Sequence, residues 1–327
     1  METPYIEMRK MEILRTFMKY SELGIVCFPV KTNAHPELLT FLWKNGAYFN
    51  VSSTFYLDKL IQLEIPSDKI LWDNCFSDLN TIKIVVNAGV KNFTVDTFHY
   101  YQKINDHIHN AKFFIKISNR LVNSTLYGIG IENPSELIDR IDKDSLLGFS
   151  FHLGINAFNY TNLKKMVCFI KQYGKCKYLN IGGGYENFFE TYDIYSYMLS
   201  EKKEGWFDSI VFEPGRSLLY PASKLYTTVL NVNRNSTNWA KIDASIYSGL
   251  MDKYIENRCF VFCDHSPSKL KYILYGFTSD SSDSFGVQLL SSTLKIGDIL
   301  ELEKCGAYNY DMSCDYSGAK KLLIRMV

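Results

Sequence analysis

Long runs of one charge sign are missing from this chain: 36 Lys and Arg face 35 Asp and Glu over 327 residues, for a formal net charge of +1. Without a basic stripe to track a phosphate backbone, a nucleic-acid partner is not expected. No apolar run approaches the roughly 20 residues that a membrane span needs, so no membrane association is expected either. The segment METPYIEMRKMEILRTFMKY at the start alternates charged and apolar residues at helical spacing and lacks the uninterrupted apolar core of a secretion signal. Eight cysteines are present, but none shows the paired spacing of a zinc site or a disulfide framework. The closest grouping, Cys259 and Cys263, falls in a strand-like run. Reduced thiols in a cytoplasmic protein, with no metal, are the expectation.

What the chain does have is a globular composition, 46% hydrophobic and 22% charged with 19 Gly and 8 Pro, far from the profile of disordered chains. Between residues 24 and 215, eight short β-rich runs alternate with longer amphipathic segments: GIVCFPV, AYFNVSS, KILWDN, NFTVDT, KFFIKIS, LLGFSFH, YLNIGGG and SIVFEPG. Segments such as HPELLTFLWKNG and YTNLKKMVCFIKQYG carry helical periodicity. Eight βα units predict a closed (β/α)8 TIM barrel, although an open doubly wound sheet uses similar units. After Arg216 helical periodicity fades. SKLYTTVLNV, WAKIDAS, RCFVFCDH, LKYILYGF, GDILELEKCG and KKLLIRMV predict a small, mainly antiparallel β-domain. The division expected is a barrel over 1–218 and a β-domain over 219–327.

Catalytic side chains of such barrels stand at the C-terminal ends of the strands. Here the first run ends in Lys31, the sixth in His152, the seventh in Gly182-Gly183-Gly184, and the eighth in Glu213-Pro214-Gly215-Arg216. Each has a bland reading: a solvated cation, a satisfied rim histidine, a tight turn, a rim ion pair. Together they meet the demands of one cofactor. Pyridoxal 5′-phosphate needs an amine for its aldehyde, bare N–H groups for its phosphate, a flat group against its ring and an acid beside its pyridine nitrogen.

At this point the chain resembles the fold-type III pyridoxal-phosphate enzymes, and within them the ornithine/diaminopimelate decarboxylase group, whose fold is alanine-racemase-like. The landmarks occur in order: TPYI near the start, FPVKTN at 28–33, YFNVSS at 48–53, FSFHLG at 149–154, NIGGGY at 180–185, EPGR at 213–216 and GAYNYD at 306–311. The resemblance implies that Lys31 is the Schiff-base lysine and that His152 stacks on the ring. It implies that Gly182, Gly183, Gly184, Gly215, Arg216 and Tyr308 hold the phosphate end and that Glu213 pairs with the pyridinium nitrogen. It places Asp243 opposite the distal end of a substrate. It also puts Ser279 and Asp280 on a loop reaching the site of a neighbouring subunit, in a homodimer with shared active sites. Two distal acids would suit a diamino acid such as ornithine.

The chain also departs from that pattern. Ser279 stands where these decarboxylases usually carry a cysteine that protonates the substrate carbon, and a hydroxyl is a far weaker acid than a thiol of pKa about 8.5. Asn50 replaces a common acidic residue, Ile155 a serine, and Leu126 a lysine. The strand that usually opens the β-domain looks missing, because Lys31 lies so near the start. These departures leave open a specialised decarboxylase acting on an aminocarboxypropyl group of a peptide- or nucleotide-linked intermediate, an amino-acid racemase on the same fold, and a non-catalytic homologue. The main expectation is a carboxy-lyase that removes the α-carboxylate of an amino acid.

Overall fold

A computed structural model describes residues 2–118, 120, 122, 130–186, 188–235 and 237–327, so Leu126 lies outside the described residues. The chain divides into two compact units, one of residues 15–31 and 36–217, the other of residues 1–14, 32–35 and 218–327.

In the first unit eight parallel strands close a barrel, each pairing with the next and the last with the first. They are β2 (Gly24–Pro29), β3 (Tyr48–Val51), β4 (Ile70–Trp72), β5 (Asn92–Val95), β6 (Lys112–Lys116), β7 (Leu146–Ser150), β8 (Cys176–Asn180) and β9 (Phe207–Phe212). These are the eight β-rich runs of the sequence, in order. A cluster of Cys27, Leu71, Phe114 and Val211, joined by Ile25, Tyr48, Leu147 and Tyr178, comes from strands alone, as filling of a barrel interior requires. Helices between the strands obey ordinary rules. The helix Leu79–Asn87 starts at Asp78, whose carboxylate accepts the Thr81 N–H, and buries Ile82 and Val85. The helix Tyr160–Lys171 starts at Asn159 in the same way and buries Leu163, Met166, Val167 and Ile170. Both have a short polar side chain at the N-cap and an apolar stripe at helical spacing.

The second unit is a mixed, mainly antiparallel sheet in the order β12-β15-β10-β11-β13-β14, where β10 is Ser223–Asn233, β11 Trp239–Ile242, β12 Phe262–Cys263, β13 Lys269–Tyr275, β14 Ser284–Ser291 and β15 Ile299–Glu303. Two features correct the sequence reading. The opening strand is present: β1 (Tyr5–Met8) pairs antiparallel with β10, Tyr5 opposite Tyr226, and parallel with the last strand β16 (Leu323–Met326). Residues 1–14 therefore belong with the sheet and not with the barrel. Four residues, Tyr-Ile-Glu-Met, are too few to separate a strand period from a helical one, and the helix that follows imposed its pattern on them. The second feature is β14, which the sequence reading passed over because its apolar residues follow a polar stretch and two of them, Val287 and Leu289, point to solvent.

Candidate active site

The ends of the barrel strands carry a connected set of polar side chains. Lys31 follows β2 in the single 3-10 turn Val30–Thr32 and is exposed. Asn50, on β3, is buried and uses its amide nitrogen twice. It donates to Glu213 Oε1 at 2.9 Å and to Asp73 Oδ2 at 3.0 Å. Asn180, the last residue of β8, donates to the same Glu213 oxygen at 2.7 Å, and its own Oδ1 accepts the Gly182 N–H at 2.9 Å. Asp73, just beyond β4, is paired with Lys116 at the end of β6, Nζ to Oδ1 at 3.1 Å, both side chains 17% exposed.

Electrostatics follow from burial and these partners. Glu213 is 8% exposed, and burial, reinforced by the negative charge of Asp73, pushes its carboxyl up, while the amides of Asn180 and Asn50 oppose that rise. Asp73 moves the other way. Burial works against its charge, but Lys116 and the Asn50 donor outweigh it and hold the carboxyl down at about 2. His152, two residues past β7, is pushed down to about 4 by burial and by the nearby cations Lys116 and Lys31. Its Nδ1 accepts the Gly183 N–H at 3.2 Å, so the neutral ring carries its proton on Nε2.

The glycine triplet is bare because nothing larger fits. A Cβ on Gly182 would meet the Phe151 carbonyl oxygen at 2.6 Å, one on Gly183 the Glu213 carbonyl oxygen at 2.6 Å, and one on Gly184 the backbone of Gly154 at 2.7 Å. Gly182 and Gly184 also hold φ of +66° and +89°, which side chains disfavour. Beyond Glu213, Gly215 occupies a bend and Arg216 opens the short helix Arg216–Leu219, its Nε 3.7 Å from Glu186 Oε1. A pyridoxal phosphate fits this donor set: an exposed amine, a neutral imidazole, a glycine cradle with an arginine, and a carboxylate with one oxygen already anchored.

The remaining expected residues lie in the sheet unit. Tyr308, at φ +60°, donates its backbone N–H to the Thr32 carbonyl at 2.6 Å. Asn33 Nδ2 donates to the Gly306 carbonyl at 2.8 Å, and Asp311 Oδ2 accepts the Ala34 N–H at 2.7 Å. The segment that directly follows Lys31 is thereby stapled to the GAYNYD loop. Ser279 is exposed. Asp280 accepts the backbone N–H and hydroxyl of Ser282 and the hydroxyls of Tyr247 and Tyr316, which hold its carboxyl down at about 2. Asp243 lies deeper in the sheet unit. It is buried, its Oδ1 accepts from Thr227 Oγ1 and the Thr228 N–H, and its Oδ2 accepts from Thr3 Oγ1 at 2.5 Å. Both oxygens take part in tying β1 and β10. Asp73 and Lys116 were missed by the sequence reading, yet they lie near the C-terminal ends of two of the eight β-rich runs, KILWDN and KFFIKIS. Among the described residues no cluster of His, Cys, Asp or Glu is placed to hold a metal, and no helix is long and apolar enough to cross a membrane.

Residues 8–219 match the family model described as the pyridoxal-dependent decarboxylase, pyridoxal binding domain. Ornithine decarboxylase of Schizosaccharomyces pombe is 23% identical over 90% of this chain and 75% of its own length. Diaminopimelate decarboxylase of Methanocaldococcus jannaschii is 25% identical over 90% of this chain and 76% of its own. The crystal structure of the Paramecium bursaria Chlorella virus arginine decarboxylase superposes with a TM-score of 0.86 at 20% identity, covering 100% of this chain and 97% of that one. Three names, three substrates: the likeness carries the chemistry further than it carries the side chain being processed.

Proposed function

Because the chain belongs to the pyridoxal-dependent decarboxylase family, we propose that it removes the α-carboxylate of a diamino acid such as ornithine or a close relative. It is an amino-acid decarboxylase and pyridoxal 5′-phosphate is its cofactor. When bound, that cofactor supplies an aldehyde that condenses with amines and a ring that draws off the electron pair left behind by carbon dioxide.

The chain's own residues provide the rest. Lys31 offers the amine that anchors the cofactor. The Gly182–Gly184 turn, whose Gly182 and Gly183 N–H groups are already given to Asn180 and His152, would hold the phosphate with Arg216, and the family resemblance adds Gly215 and Tyr308. His152, kept neutral, would offer a flat ring to the cofactor without adding positive charge. The observation that carries the reading is Glu213: its Oε1 is fixed by two amides, so Oε2 is left to hold a proton on the ring nitrogen. A protonated ring is the stronger electron sink. Ser279 would supply the hydroxyl that hands a proton to the α-carbon.

Because Asp243 is buried while Asp280 is partly exposed, the distal amine is assigned to Asp280, whose carboxylate is kept ionised by its four donors. The sheet unit is too small to close a site alone, so we take the working form to be a homodimer with shared sites, in the cytoplasm, where its eight free cysteines stay reduced. Mass-spectrometric identification of amine products from ornithine, lysine, arginine and diaminopimelate tests the substrate. A single diamine formed well above the others is expected. Turnover only of an amino acid without a distal amine contradicts the assignment. Sedimentation of the purified protein should give twice the chain mass, and a monomer with full activity contradicts the shared site.

A further inference from the structure

The Asn50 amide nitrogen lies 2.9 Å from a Glu213 oxygen and 3.0 Å from an Asp73 oxygen. One NH2 group therefore serves two carboxylates, and two anions converge on a buried point where mutual repulsion is strong. An asparagine side chain turned by 180° would present its carbonyl oxygen to both. Only the arrangement with nitrogen inward is compatible with two acceptors. Lys116, 3.1 Å from the far oxygen of Asp73, supplies the positive charge that lets Asp73 remain an anion.

We propose that Asp73 and Lys116 are positioning residues for the cofactor site: Asp73 locks the Asn50 amide as a donor to Glu213, and Lys116 cancels the charge that this lock would otherwise press on Glu213. The pair acts on Glu213 through Asn50, and the inference rests on the cofactor reading of Glu213 given above. The other titratable groups around Glu213 do not substitute for Lys116. Cys27 on β2 and Tyr185 beyond the glycines are kept neutral by burial, and His152 is held neutral as well. Lys31 is a cation near Asp73 and His152, but its amine is the one committed to the cofactor.

The two halves of the idea separate experimentally. In Lys116→Met the Asp73 charge is uncancelled. In Asp73→Asn/Lys116→Met both charges are gone but an oxygen acceptor for Asn50 remains. In Asp73→Leu/Lys116→Met the charges and the acceptor are both gone. Each is made in the full-length protein, and the Glu213 carboxyl is titrated by 13C NMR with Glu213→Gln as the assignment control. Affinity for added pyridoxal 5′-phosphate is measured across pH alongside. The expected midpoint of Glu213 rises by about one pH unit in Lys116→Met. It stays within about half a unit of the parent in Asp73→Asn/Lys116→Met, and rises again in Asp73→Leu/Lys116→Met, with about tenfold weaker cofactor binding. Two indistinguishable double variants overturn the lock, and an Asn/Met double displaced as far as the single overturns the cancellation. Both doubles bury no lone charge, so they decide the matter even if Lys116→Met fails to fold. The carboxyl titration is read without cofactor, so it stands or falls apart from the decarboxylase assignment.

Discussion

At the scale of single residues, Gly184 and Ser279 illustrate opposite kinds of constraint. Gly184 has no room: φ of +89° and a neighbour 2.7 Å from any Cβ mean that Gly184→Ala should cost about 2 kcal/mol. The expected readouts are a lower melting temperature and at least tenfold weaker binding of pyridoxal 5′-phosphate, and unchanged affinity would remove the triplet from the cradle. Ser279 is exposed and free to change. Ser279→Cys should keep decarboxylation and lower any transamination side product, because a thiol is the better acid, and an unaltered product ratio counts against a proton-donor role. Lys31, His152 and Glu213 stood out in the sequence because each lies at or just past the end of a β-rich run. Asp73 and Lys116 lie near the ends of two more such runs. They were passed over because a lone Asp or Lys past a strand reads as a solvated rim charge, and only the Asn50 bridge gives them meaning. The bonds of Asp243 to the sheet have no sequence signal, because its donors, Thr3 and Thr227, are distant or unremarked in sequence.

Among elements, the eight barrel strands were readable because parallel strands covered by helices repeat one pattern eight times. The sheet unit was harder. Its first strand is four residues long and its partners, β10 and β16, lie more than two hundred residues away, a pairing no local pattern announces. The contact that fixes this strand is Thr3 to Asp243. Thr3→Val keeps the side-chain shape and removes the hydroxyl, leaving a buried carboxylate oxygen short of a donor. The expected result is a loss of about 1 to 3 kcal/mol, read as a lower melting temperature with KM unchanged. A raised KM without destabilisation would return Asp243 to the substrate.

For the whole molecule, the near-zero net charge is silent about function, while a few buried groups set its response to acid. His152 has a folded value of about 4 against an ordinary 6.5, so the unfolded chain takes up its proton first and stability falls as pH drops from 6.5 toward 4. Asp73, at about 2 against 3.8, contributes stability that is full above 3.8 and is lost as pH falls toward 2. Chemical denaturation of the cofactor-free protein should therefore show a two-stage loss on acidification, and His152→Gln should remove the upper stage. The central claim is more direct: this barrel mouth, through Lys31, removes an α-carboxylate. The decisive measurement is release of labelled carbon dioxide from carboxyl-labelled diamino acids by the purified protein. Release that requires pyridoxal 5′-phosphate and disappears in Lys31→Ala is the predicted result, whereas no release from any of them, or release undiminished in Lys31→Ala, would contradict it.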